Sequence, residues 1–352
     1  MGLFDVKPND RRIYEDELYD FLPEDIIDIH THIWLESLVT KRTGSYDKRC
    51  VTWPALVAKD NSVEDLNETY RRLLPGKRVT PLMFSSVENP ADLGRLNAYV
   101  SDSARRFDYP ALYYSHPQMD GETLEKEIKA GGFIGIKSYL TFAPEYIPEG
   151  EVRCYDFFPP HQLEVINRLG MIVMLHIPRH ARLRDRVNHA QILEIKEKYP
   201  GIRLIIAHVG RAYCDGDVGD AFEALKPAGD LLFDFAANCN QNVFVKLIEA
   251  VGPKRILFGT DMPILRMRTR RICENGTYIN LIPPGLYGDP SQDSHLREVS
   301  AAEAENITFF LYEELLAIKK AAAICGLDRE DIKDVFYNNA DGVIAAARKV
   351  YG

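Results

Sequence analysis

Nine histidines are spread over 352 residues, and their placement is uneven. His30 and His32 form His-x-His at the end of the apolar run Asp25–His32 (DIIDIHTH). Side chains two apart on a strand share a face. Two imidazoles placed so are two legs of a metal site. His176 lies near the end of the run Met171–Ile177, His208 in Arg203–Gly210, and Asp261 in Ile256–Pro263. Imidazole nitrogen with a carboxylate oxygen suits borderline divalent metals, and a catalytic site keeps one position for water. His30, His32, His176 and Asp261 then make three neutral ligands and one anion. His208 is left beside them as a general acid or base, and Asp261 can also take a proton from water. Each residue alone has a plain structural use. A single His-x-His arises by chance, a strand-end His can be hydrogen-bonded into the core, and Asp261 in GTDMP can cap a turn. The five together point to a site.

Such a constellation needs elements that bring distant residues to one place. Eight apolar runs are present: 25–32, 79–86, 111–116, 133–140, 171–177, 203–210, 231–238 and 256–263. Near-continuous hydrophobicity marks parallel strands buried on both faces. Amphipathic stretches at 91–107, 122–130, 159–169, 185–199 and 241–251 predict helices between them, most followed closely by Gly. Eight such units describe one α/β domain over residues 1–352, a (β/α)8 TIM barrel with its chemistry at the C-terminal ends of the strands. Trp34–Leu74 and Ile264–Ser300 exceed what a minimal barrel requires. They are expected to be extra loops on the C-terminal face, serving as a lid or in binding. Ala301–Cys325 and Arg329–Ala347 read as the last barrel helix and a C-terminal helical cap.

Composition sets further bounds. The chain is 46% hydrophobic, which excludes disorder. Lys and Arg number 43 against 52 Asp and Glu, a net charge of −9 that argues against nucleic acid as a partner. No apolar run approaches the roughly 20 residues that cross a bilayer. The start, MGLFDVKPNDRR, lacks a signal-peptide core, and Val6 stands where a myristoylation motif wants Ser or Thr. Six scattered cysteines without a CxxC pair read as reduced, mostly buried thiols. The glycosylation sequons at Asn67, Asn275 and Asn306 are then chance matches, and the cytoplasm is the expected compartment.

Cations concentrate where a small acidic substrate would enter. Lys137 ends the fourth run, Arg179 and His180 follow His176, and Arg211 and Tyr213 follow His208. Arg266, Arg268, Arg270 and Arg271 follow Asp261. The planar fork of Arg matches a carboxylate, although a surface salt bridge is the alternative at each position. Lys137, Arg179, His180, Arg211, Tyr213, Arg266 and Arg268 are therefore candidate substrate-binding residues. An extended backbone would put Arg266, Arg268 and Arg270 on one side. The rival use of that run is a subunit contact, and a homo-oligomer is the expected assembly. Asn238 ends the seventh run and either orients a substrate oxygen or ties down a turn.

The order of DIHTH, the strand-five His, IAHVG and FGTDMP, between about Asp25 and Asn339, resembles the amidohydrolase superfamily. The nearest branch is the amidohydrolase-related group (amidohydrolase 2), similar to aminocarboxymuconate-semialdehyde decarboxylase, resorcylate-type decarboxylases and several lactonases. The resemblance implies a distorted TIM barrel with one divalent metal, zinc or manganese. The strand-one pair, the strand-five His and the strand-eight Asp would bind it, with the strand-six His beside them. Binuclear members of the superfamily carry a carboxylated lysine at the end of strand four. The resembling branch carries Gly-x-Lys without that role, so a plain Lys137 is expected near the substrate. The branch holds both hydrolases and lyases. Some of its decarboxylases replace the first His of the motif with Glu, and this chain keeps His30. That leans toward a hydrolase of a lactone, amide or ester of a small carboxylated molecule. The alternatives are non-oxidative decarboxylation of an aromatic or unsaturated carboxylic acid, and a catalytically silent barrel.

Overall fold

The computed structural model describes residues 3–40 and 56–351. Each apolar run supplies a parallel strand: β1 Asp25–His32, β2 Arg78–Phe84, β3 Tyr113–Tyr114, β4 Gly135–Lys137, β5 Ile172–Leu175, β6 Arg203–Ile206, β7 Leu232–Asp234 and β8 Ile256–Leu257. β1 pairs with β2, and β3 to β8 follow one another in a second sheet. Two seams join the sheets into a ring. At one, Met83 bridges Ala111, and Leu112 N donates to Met83 O at 2.9 Å. At the other, Thr31 bridges Met262, Ile29 N donates to Phe258 O at 2.9 Å, and Asp261 N donates to His30 O at 2.7 Å. The result is a distorted (β/α)8 barrel, regular from β3 to β8 and stitched by single bridges at its seams.

Most strands are shorter than the runs that announce them. The ladders stop where the backbone bends into the mouth, so His176, His208 and Asp261 stand just past strand ends. The helices between strands run 63–73, 93–107, 121–131, 160–169, 186–198 and 241–251. Four of these starts are set by side-chain caps: Ser62, Asp120, Asp185 and Asn240 accept from first-turn amides. The predicted helix 301–325 is interrupted, giving Ala301–Ala304 and Phe310–Cys325. The cap divides into Arg329–Lys333 and Asn339–Arg348 around a π turn. Of the long stretch after β1, residues 41–55 lie outside the described residues. No helix among the described residues is long and apolar enough to cross a membrane.

The stretch after β8 corrects the expectation of a plain loop. It contains β9 Arg270–Glu274 and β10 Thr277–Ile282, paired antiparallel, with β11 Leu296–Glu298 parallel to β10. Asn275 and Gly276 at the tip have φ of 51° and 76°. Two successive left-handed residues are what a two-residue hairpin turn demands, and Asn-Gly supplies them at least cost. The tripeptide read as a chance sequon is this turn. The reading of uniformly reduced thiols is corrected as well. Cys214 and Cys273 form a disulfide, with Cα atoms 5.9 Å apart, across 59 positions of sequence. Only the hairpin folding back over the loop after β6 brings them together, so spacing could not disclose the pair. Cys154, Cys239 and Cys325 are thiols, and Cys50 lies outside the described residues.

Candidate metal centre and its rim

β1 carries His30 and His32 to the mouth, and the turn after β8 brings Asp261 against them. Asp261 Oδ1 lies 3.5 Å from His30 Nε2 and 3.1 Å from His32 Nε2. One ligand atom from each residue falls within 4.8 Å of the others. Neighbouring acceptors set the tautomers. His30 Nδ1 meets Asp234 Oδ2 at 3.0 Å, His32 Nδ1 meets Ser85 O at 3.1 Å, and His208 Nδ1 meets Ala236 O at 2.8 Å. A carboxylate or carbonyl only accepts, so each Nδ1 carries the hydrogen and each Nε2 keeps its lone pair. The His208 ring lies 4.7 Å from that of His30 and 5.3 Å from that of His176. His176 is not among the donors within 4.8 Å of one another. Its buried Nδ1 has no hydrogen-bond partner. Converging imidazole lone pairs, one carboxylate and an orphaned ring nitrogen fit a divalent ion with nitrogen and oxygen ligands.

Local backbone geometry makes this approach possible. A Cβ at Gly259 would meet His30 Cβ at 2.9 Å, so the strand-eight turn passes His30 only as glycine. Below the ligands, Asp28 accepts from Thr260 N at 2.9 Å, Thr260 Oγ1 at 2.5 Å and Tyr70 Oη at 2.7 Å, tying β1 to the same turn. His208, Val209, Gly210 and Arg211 have φ of 58°, 48°, 59° and 60°. Left-handed non-glycine residues cost about 1–3 kcal/mol each and concentrate at functional sites. This left-handed turn presents both His208 and Arg211 at the mouth.

Burial dominates the electrostatics. It lowers His208 to about 4, lowers His32, and holds His176 well below the usual imidazole range, aided there by the charge of Arg211. All three are therefore neutral at pH 7. Burial alone would raise Asp261, but the His32 ring, which donates to it once it carries both hydrogens at low pH, and the neighbouring ring charges hold it well below the usual carboxylate range. Lys137 is 2% exposed, and burial lowers its ammonium to about 8 against the opposing pull of Asp261 and Asp234. It lies within 5.7 Å of the Phe84 ring and 6.0 Å of the Tyr139 ring.

The rim candidates divide. Arg211 donates to the carbonyls of Ile177, Pro178 and Arg179, and makes no ion pair among the described residues. Tyr213 packs edge-on against Tyr278 at 4.9 Å. Arg179, expected at the substrate, is bound by both oxygens of Asp185 at 3.1 Å, on the residue that caps the following helix. His180 is 61% exposed and faces Glu149 at 3.7 Å. Arg266 and Arg268 turn to the N-terminal segment rather than to the mouth. Arg266 lies over Phe4 and donates to Val57 O, while Arg268 forks onto buried Asp10 at 3.1 and 2.6 Å. The extended backbone that would align the three arginines begins only past Arg266, because a 3-10 turn covers Ile264–Arg266; Arg268 bridges Phe309 and Arg270 begins β9. Asn238 ties down a turn, donating to Ala212 O at 2.8 Å.

Sequence reasoning missed Asp234. It lies on β7, accepts from His30 and from His208 N at 2.8 Å, and so orients two site residues at once. The signal was a carboxylate in the middle of the apolar run LFDFAAN. Arg271, named in the arginine run but not among the substrate-binding candidates, is also a rim residue. Its guanidinium lies 4.7 and 4.6 Å from the Tyr213 and Tyr278 rings.

A family model described as Amidohydrolase matches residues 27–277. No curated protein matches the chain. Solved structures share the fold. Amidohydrolase 2 from Bifidobacterium longum subsp. infantis is similar at 14% identity and a TM-score of 0.54, covering 92% of this chain and 99% of that one. A putative 2-pyrone-4,6-dicarboxylic acid hydrolase from Pseudomonas putida is similar at 15% and 0.52, covering 92% and 99%. A dihydroxybenzoic acid decarboxylase from Polaromonas sp. JS666, with bound manganese and 2-nitroresorcinol, is similar at 15% and 0.52, covering 92% and 97%.

Proposed function

The chain belongs to the amidohydrolase family, and from that premise we propose that it hydrolyses a lactone, amide or ester of a small carboxylated molecule, using one divalent metal, zinc or manganese. The observation that carries this reading is Asp261 Oδ1 set against the Nε2 atoms of His30 and His32. Neutral His208 stands alongside with its Nε2 lone pair open. His30, His32 and Asp261 would hold the ion, with His176 as the fourth donor. When bound, the ion supplies Lewis acidity that polarises a carbonyl and acidifies water. Asp261 is held ionised, which suits a ligand. His208 Nε2 is then the proton carrier. It takes a proton from the attacking water as hydroxyl adds to the acyl carbon. It returns that proton to the oxygen or nitrogen that leaves as the acyl bond breaks. Asp234 holds His30 and His208 in register for that exchange. Lys137 and Arg211 neutralise the substrate carboxylate.

Decarboxylation is the second reading, since hydrolase and decarboxylase structures match this fold equally, at a TM-score of 0.52. There His208 would hand a proton to the carbon that loses carbon dioxide. Assay of zinc- and manganese-loaded protein against lactones and aromatic carboxylates separates the two. Lactone turnover that falls about 10²–10⁴-fold in His208→Asn, with metal retained, is the expected result. Carbon dioxide release without lactone turnover replaces hydrolysis with decarboxylation.

A further inference from the structure

The strands after β8 form a small unit with its own core. Met267, Tyr278, Ile282, Tyr287 and Leu296 pack with Cys214 in a cluster separate from that of the barrel. Cys214 belongs to the loop after β6, so the two units meet there. β9 and β10 turn one face toward that loop. Cys273 pairs with Tyr278 and Arg271 with Asn280, and residues two apart on a strand share a face. Tyr278 meets Tyr213 at 4.9 Å, Arg271 Nη1 donates to Ala237 O at 2.6 Å, and Cys273 is bonded to Cys214. The disulfide is the covalent part of a latch between the hairpin and the loop that presents His208, Arg211 and Tyr213.

The two sulfurs differ in access. Cys214 is 2% exposed, whereas Cys273 is exposed. A surface cavity of about 320 Å³ reaches Cys273, and Tyr213, Asp215, Cys239, Asn240 and Arg271 also line it. Asp215 accepts there from the Asn240 and Asn242 amides, each at 2.9 Å. Arg271 places a cation on the face that carries Cys273. An electropositive, exposed sulfur is where a thiolate attacks. Cys239 is not the attacking group, because burial raises its thiol to about 12 and it keeps its proton.

We propose that Cys214–Cys273 is a site of thiol–disulfide exchange, at which a small anionic thiol unlatches the β9–β10 hairpin from the mouth. The thiolate bonds to Cys273 Sγ as the bond between the two cysteines breaks. The electron pair goes to Cys214 Sγ, which takes a proton from solvent. A second thiolate then attacks the outer sulfur of the adduct. Cys273 leaves as a thiol, and the reagent leaves as its own disulfide. The metal centre takes no part, so the exchange stands apart from the hydrolase reading.

Reduced glutathione is the probe, applied to the folded full chain and quenched with acid. Peptide masses should place the adduct on Cys273, with Cys214 and Cys239 unmodified. Cys239→Ser should leave that adduct unchanged. Cysteamine, a cationic thiol, should react more slowly at low salt. After full reduction, amide hydrogen exchange across residues 270–282 and around Tyr213 should quicken about 10-fold or more, with the β3–β8 ladder unchanged. Cys214→Ser combined with Cys273→Ser should show the faster exchange before any thiol is added. If that variant does not fold, reduced wild-type protein gives the reading. Several results would each overturn the inference: an adduct on Cys214 or Cys239 in place of Cys273, no adduct on the folded protein, or cysteamine reacting as fast. So would free thiols at both positions after treatment with oxidised glutathione, or hairpin exchange that reduction does not move.

Discussion

Asp261 and the arginines that follow it belong to one stretch of chain, yet they are positioned by different means. At the floor of the mouth, His30, His32 and His208 are delivered by strands or strand ends whose register is fixed by ladder hydrogen bonds. At the rim, four arginines of one run meet four environments. Arg266 covers Phe4, Arg268 is buried on Asp10, Arg270 faces Glu313 at 3.7 Å on the surface, and Arg271 lies on an aromatic pair. Residue type and spacing therefore suffice to find His30, His32, His208 and Asp261 at the floor, though not the Asp234 that orients two of them. At the rim, a charge run has no direction until the backbone carrying it is known.

Substitution should separate the two regions. The largest effect belongs to the floor. His30→Ala and Asp261→Ala should lose the metal and lower turnover by about 10³-fold or more. Retained metal, measured by elemental analysis, would show that the floor is not the metal centre. Arg268→Ala should do the reverse. It leaves buried Asp10 without its cationic partner, with only Thr308 Oγ1 and Lys7 N still donating to it, and should destabilise the fold by about 3 kcal/mol in denaturant unfolding. A stability change near zero would return Arg268 to the list of substrate contacts.

The smallest effect joins the regions. Lys137→Met should stabilise the metal-free protein on the order of 2 kcal/mol at pH 7 while weakening binding of acidic substrates. The sign follows from burial, which lowers Lys137 to about 8 from its ordinary 10.5. Between those values the unfolded chain binds more protons than the folded one. Wild-type stability should rise with pH across that window, and the Met variant should lack this increment. A parallel pH profile for both proteins would show that Lys137 bears no burial penalty.

The eight strands were legible because two-sided burial writes itself as unbroken apolar runs. His30, His32, His208 and Asp261 were legible because strand ends in a barrel converge. Asp234 and Asp28 were not, since a carboxylate within an apolar run looks like an interruption until its donors from other strands are seen. The disulfide and Arg179's pairing with Asp185 were equally hidden. Each depends on the course of a loop, and loop direction is set by tertiary contacts rather than by periodicity. Asn275-Gly276 could have disclosed the hairpin, because its left-handed preference is local.

The seam that closes the barrel runs through the site. Asp261 N bonds His30 O, and His32 N bonds Met262 O at 3.0 Å, so the first and last strands are stitched by the residues that would bind the metal. Ring closure and site assembly are thus one event. A bound ion becomes a clasp on segments about 230 positions apart in sequence, stabilising the closed ring by mass action. Metal loading should accordingly slow amide hydrogen exchange at His32 and Asp261 well before it affects the β3–β8 ladder, because the ion would fasten the join between the first and last strands.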